Sequence, residues 1–163
     1  MTTATRAAAL SLAAALATAA LATAAAAETA PGAVSFTEGA VAESLSGQPG
    51  DPAAGAAVIT ARGLGNCVAC HQIGALPDVP FQGDIGPALD GAGGRWTEAQ
   101  LRGIVANAKM TCEDSFMPAF YKTTGFTRPG DAYTGNAAPA DLPPILTAQQ
   151  IEDVVAYLAT LKD

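Results

Sequence analysis

Apolar positions recur at helical spacing in three stretches of this chain, and each stretch begins at a capping signal. Ile151, Val154, Val155, Leu158 and Leu161 form the clearest stripe, on one face of a helix. Thr147 and Gln150 precede it as a capping box, in which hydroxyl and amide each satisfy a free backbone N–H. Thr97 and Gln100 repeat the signal. The helix they open should run to about residue 109, with Leu101, Ile104 and Val105 inward. Asp51-Pro52 opens another, because Asp can cap and Pro at the first helical position loses no hydrogen bond. That helix should reach about residue 62, with Gly55, Val58, Ile59 and Arg62 on one side, before Gly63 and Gly65 stop it. No segment alternates convincingly with the period of two a strand needs, and no internal repeat is visible. The expected fold class is all-α.

The stretches between are irregular. Residues 72–94 and 110–146 are dense in glycine and proline, and the chain holds 17 Gly and 11 Pro. Helices joined by loops this long should not close a core on themselves. Only nine aromatics serve 163 residues. The pattern therefore predicts a large apolar group between the helices.

The ends read differently. Residues 28–50 are rich in Ala, Gly, Ser and Glu without a clean period, as expected of a flexible arm or an extension that lies on a partner. Residues 1–27 read as a secretory signal peptide. Arg6 supplies the positive end, an Ala-rich apolar run follows, and Ala25-Ala26-Ala27 offers a cleavage site before Glu28. The alternative is a retained anchor, but a span needs ~20 strongly apolar residues and alanine inserts poorly. The expected organisation is a signal peptide (1–27), an N-terminal extension (28–50) and one domain (51–163), acting in an oxidising, periplasm-like compartment.

Charge removes other classes. With 15 Asp and Glu against 8 Lys and Arg, the formal net charge is −7. No basic stripe exists to neutralise phosphates, so neither nucleic acid nor an anionic membrane surface is an expected partner. Three cysteines are an odd number, so a closed disulfide framework is not the organising device.

The chemistry concentrates in Cys67-Val68-Ala69-Cys70-His71. This is the c-type haem attachment pattern. Cysteines three apart share one face of a helical turn, so both sulfurs can reach the vinyl groups of one porphyrin, and His71 follows as an iron ligand. A redox disulfide would sit after a strand, and none precedes it. A zinc site needs four ligands, whereas the chain has one His and only Cys112 as a further Cys. One covalent haem c also supplies the missing core.

With a single histidine, the second axial ligand must be another residue type. Met117 lies in Ser115-Phe116-Met117-Pro118-Ala119-Phe120, 46 residues after His71, far enough for the chain to return on the other face. A thioether favours ferrous iron and raises the potential, as suits electron transfer. Phe116, Pro118 and Phe120 would keep water off the sulfur. Met110, at a helix end where packing is the simpler role, and Cys112 as thiolate are the rivals. If Cys112 is not a ligand, it has no partner in this chain. It is then buried and inert, bridged to another chain, or capped.

Together these residues resemble a class I cytochrome c. In that family the carbonyl of a proline placed as in Gly86-Pro87-Ala88-Leu89 accepts the proximal imidazole proton, which assigns that role to Pro87. The resemblance also implies that the terminal helices cross at a small residue, matched by Gly55 and Ile59 against Tyr157, and that Arg95 and Trp96 hydrogen-bond the haem propionates. More narrowly, the chain is similar to the SoxX family across nearly the whole mature chain. The phrases that carry this include Gly65-Asn66 before the haem motif, Asp90-Gly91 after Leu89, Arg95 to Leu101, Met117 to Tyr121 and Leu146 to Leu158. Residues 110–116 fit that family less well.

The narrower resemblance implies the small monohaem subunit of a periplasmic sulfur-oxidising cytochrome. Its partners would be a SoxA-like cytochrome subunit carrying the catalytic chemistry and a downstream electron-acceptor cytochrome. The subunit would take up electrons released when thiosulfate is joined to a carrier-protein cysteine, and would not be catalytic alone. A free soluble carrier is the alternative. A peroxidase would need an open iron position and a distal acid or base, and a second His is lacking.

Overall fold

The computed structural model describes residues 27–131 and 133–162. Apart from Ala27, the expected signal peptide lies outside the described residues. The α-helices are α1 (Pro52–Thr60), α2 (Ala92–Arg95), α3 (Glu98–Asn107) and α4 (Ala148–Thr160). Short 3-10 turns lie at Pro31–Ala33, Cys67–Ala69 and Ala108–Met110. Among the described residues there is no strand, only isolated bridges pairing Thr37 with Ala40 and Gly130 with Ala137. The fold is all-α, as the periodicity predicts.

The helices begin where their caps are. Asp51 accepts from the Ala53 N–H at 2.8 Å and opens α1. Thr97 with Gln100 and Thr147 with Gln150 form complete capping boxes ahead of α3 and α4. α1 ends two residues earlier than expected, and α3 tightens after Asn107 into the Ala108–Met110 turn. α2 was not foreseen. Its four residues include Gly93 and Gly94, so no apolar stripe marks it in the sequence.

The core corrects one expectation. Despite the long loops, α1 and α3 pack directly on α4. Ile59, Ile151, Val154 and Val155 are fully buried between them. The loops do not merely connect: Ile73, Phe120, Tyr121 and Leu146 all enter the same cluster. Side chains that loop composition concealed thus add apolar area to the helical core.

Residues 28–50 also join this core rather than extending as a free arm. Val41 and Leu45 are buried. The Val41 N–H donates to the Ala99 carbonyl at 2.9 Å, and the Thr29 N–H to the Leu45 carbonyl at 2.7 Å. Beneath them lies a buried ion pair, Arg102 Nε to Glu152 Oε1 at 2.8 Å. Arg102 also donates to the Val41 carbonyl at 2.9 Å, and Glu152 accepts from the Leu45 N–H at 2.8 Å. Among the described residues no helix is long and apolar enough to cross a membrane.

Candidate functional site

Behind α1 the chain turns sharply. Asn66 takes a left-handed conformation (φ 46°), and Cys67–Ala69 form one 3-10 turn. The Cys67 carbonyl accepts from both the Cys70 N–H (3.0 Å) and the His71 N–H (2.9 Å). One turn therefore carries both sulfurs and the imidazole. Neither thiol forms a disulfide. Burial, more than the neighbouring Cys70, pushes the Cys67 thiol up to about 11, so it stays protonated at neutral pH.

A second segment lies along this turn. The Gly83 N–H donates to the Val68 carbonyl, and the Gly86 N–H to that of Cys70, each at 2.8 Å. This brings the Pro87 carbonyl within 2.7 Å of His71 Nδ1. A carbonyl can only accept, so Nδ1 carries the proton and Nε2 keeps its lone pair for a metal. Gly86 lies against the ring itself: a Cβ there would stand 2.7 Å from Nδ1 and 2.8 Å from Nε2. Gly86→Ala should therefore push the imidazole off its axis. We expect a roughly 10- to 100-fold weaker hold on the iron, the range for losing a ligand's orienting shell. Covalent haem content and the spin state of the iron measure it; a wild-type spectrum would remove this role for Gly86.

The other expected residues fall as follows. Arg95 donates to the Asp90 carbonyl at 2.6 Å and the Ala88 carbonyl at 3.3 Å, and so ties down the loop that carries Pro87. This tie was not legible in the sequence. Trp96, just after α2, is 39% exposed. Met117 is half-buried against the edge of the core. Phe120 is buried, whereas Phe116 is 95% exposed. Met110 does not pack; it is 48% exposed. Cys112 is exposed as well, so the core of this chain does not bury it.

The residues present fit a haem. Two free thiols and an imidazole with an open nitrogen share one turn. Two thiols placed for thioether bonds to one porphyrin define a c-type cytochrome. The family model for cytochrome c matches residues 52–162, more than half of the chain, and the chain belongs to that family.

The match to solved structures is closer still. The chain is 68% identical to a chain of the crystal structure of SoxXA from P. pantotrophus, with a TM-score of 0.80. The alignment covers 83% of this chain and 99% of that one. Within its family this is a SoxX-type cytochrome: it carries one covalent haem c and transfers electrons. No curated protein matches the chain.

Proposed function

We propose that this chain is the electron-accepting subunit of a periplasmic SoxXA-type complex, bound to a SoxA-like cytochrome and passing electrons to a downstream cytochrome. The observation that carries this is the 68% identity over 99% of a SoxXA chain. In this reading residues 1–27 are removed on export, so N-terminal sequencing of the mature protein should begin at Glu28.

Haem, when bound, supplies one-electron iron chemistry. Cys67 and Cys70 fasten it through two thioethers. His71 would present Nε2 to the iron, its other ring nitrogen held by the proton on the Pro87 carbonyl, and Met117 would be the second residue to hold it. Arg95 steadies the Pro87 loop, and with Trp96 it offers donors to the propionates. With both His71 and Met117 holding the iron, the group would have no place for substrate, and this chain would accept electrons without performing sulfur chemistry.

Joining two sulfur atoms oxidatively releases two electrons. One haem holds one, so the partner must hold a second redox centre. The isolated protein should be reduced by ascorbate but stay oxidised with thiosulfate. Its haem should be reduced once the partner subunit, the sulfur-carrier protein and thiosulfate are all present. Purification from the native host as a lone monomer would favour the free-carrier alternative.

Met117→Ala should abolish the weak far-red sulfur-to-iron band of the ferric protein and lower the potential, while Met110→Leu should do neither. Loss of the band in the Met110 variant alone would reverse the assignment.

A further inference from the structure

We infer that residues 28–45 act as a strap that sets the position of the loop carrying Met117, and through it the hold of the distal ligand on the iron. This rests on the reading of Met117 as that ligand. Residues 111–121 form an irregular loop with few internal ties. The Met117 N–H donates to Ser115 Oγ at 3.2 Å, and the Lys109 amine donates to the Ser115 carbonyl. A loop without a ladder of its own takes its position from its ends.

The same N-terminal segment touches both ends. At the start, Gly39 lies flat against the loop in a left-handed conformation (φ 80°). A Cβ there would stand 2.5 Å from Thr111 Oγ1 and 3.0 Å from the Met110 carbonyl oxygen. At the far end, Tyr121 is only 3% exposed and donates to the Thr29 carbonyl at 2.7 Å, with Glu28 Oε1 at 3.1 Å. Burial first, and then the Glu28 carboxylate, push the Tyr121 phenol up to about 12, so it stays a donor at neutral pH.

The strap can hold the loop because it is itself held elsewhere. The Thr29 N–H donates to the Leu45 carbonyl, the Val41 N–H to the Ala99 carbonyl, and the Leu45 N–H to buried Glu152. Val34 and Phe36 pack on the same cluster that Met117 borders. Beside the direct bonds of the Cys112 and Tyr121 N–H groups to the Ala108 and Ala106 carbonyls, residues 28–45 thus connect fixed points on α3 and α4 to both ends of the ligand loop. Tyr121 is a positioning residue: it acts on the iron only through where it keeps Met117.

Carbon monoxide, which competes with the Met117 sulfur for ferrous iron, tests this on the haem-loaded protein. Tyr121→Phe removes the hydroxyl that reaches the Thr29 carbonyl and Glu28 Oε1, and little else. Binding of carbon monoxide should quicken by roughly fivefold, the factor set by losing one hydroxyl donor. The far-red band should weaken and the potential should fall. Gly39→Ala, which presses on Thr111 from the other end, should move all three the same way. Tyr133→Phe, at a residue 98% exposed, should move none.

A merely structural role would lower the melting temperature and leave band, potential and binding rate in place. That outcome in both Tyr121→Phe and Gly39→Ala, with the band lost in Met117→Ala, overturns the strap alone. A band that survives Met117→Ala overturns the ligand assignment beneath it.

Discussion

Gly55→Ala is expected to destabilise the haem-loaded protein by at least ~3 kcal/mol, the upper range for overpacking a close-packed contact. Gly55 is buried where α1 crosses α4. A Cβ there would stand 2.6 Å from the Asp153 carbonyl carbon and 2.9 Å from Tyr157 Cβ. The nearer obstacle is the Asp153 carbonyl oxygen, which is backbone and cannot rotate aside. Two effects oppose each other. Alanine inside a helix gains about 1 kcal/mol over glycine. The crossing loses more, because α1 must lift off α4 and expose Ile59, which is fully buried. Gly63→Ala is the control, since nothing lies within 4 Å of a Cβ at that position. Denaturant midpoints should separate the two variants clearly. Equal midpoints would mean that the crossing tolerates a methyl group.

Arg102→Met should cost about 3–5 kcal/mol, the usual result of leaving one half of a buried ion pair without its partner. Arg102 and Glu152 are 6% and 4% exposed. Their carboxylate and guanidinium meet through Nε and Nη2 at 2.8 to 3.1 Å. For an ion pair alone, replacing both members by apolar residues is often neutral or stabilising. Here it should not be. The pair also serves the backbone, and the double variant leaves the Val41 carbonyl and the Leu45 N–H unpaired. Each buried orphan costs roughly 1–3 kcal/mol. Arg102→Met combined with Glu152→Met should thus stay clearly below wild type in denaturant unfolding. Full recovery would show that the pair does not anchor the N-terminal segment. The same variants should raise hydrogen exchange at the Val41 and Leu45 amides before the rest of the core opens.

Much of the site was legible because it is local. Two cysteines three apart and a following histidine lie within one turn, and a turn's geometry is written in consecutive residues. Both capping boxes span four positions and could be read the same way. Tyr157 and Gly55 were expected at the helix crossing by family resemblance, and they meet there. Pro87 too was assigned by resemblance, because nothing in its own neighbourhood says which carbonyl will meet an imidazole. α2 escaped because a helix containing two glycines carries no apolar period.

By itself the sequence determined the all-α class, the starts of the three long helices and the chemistry of a covalently held haem. Each of these depends on residues within about one or two turns of each other, where spacing alone dictates which groups face the same way. Tertiary structure decided the rest. His71 meets a carbonyl 16 positions away, Arg102 meets a carboxylate 50 away, and Tyr121 meets the Thr29 carbonyl 92 away. Polar pairs at such separations leave no period in the chain. They exist because buried donors and acceptors must find partners once the apolar faces have closed. That closure turned residues 28–50 from an apparent arm into part of the core.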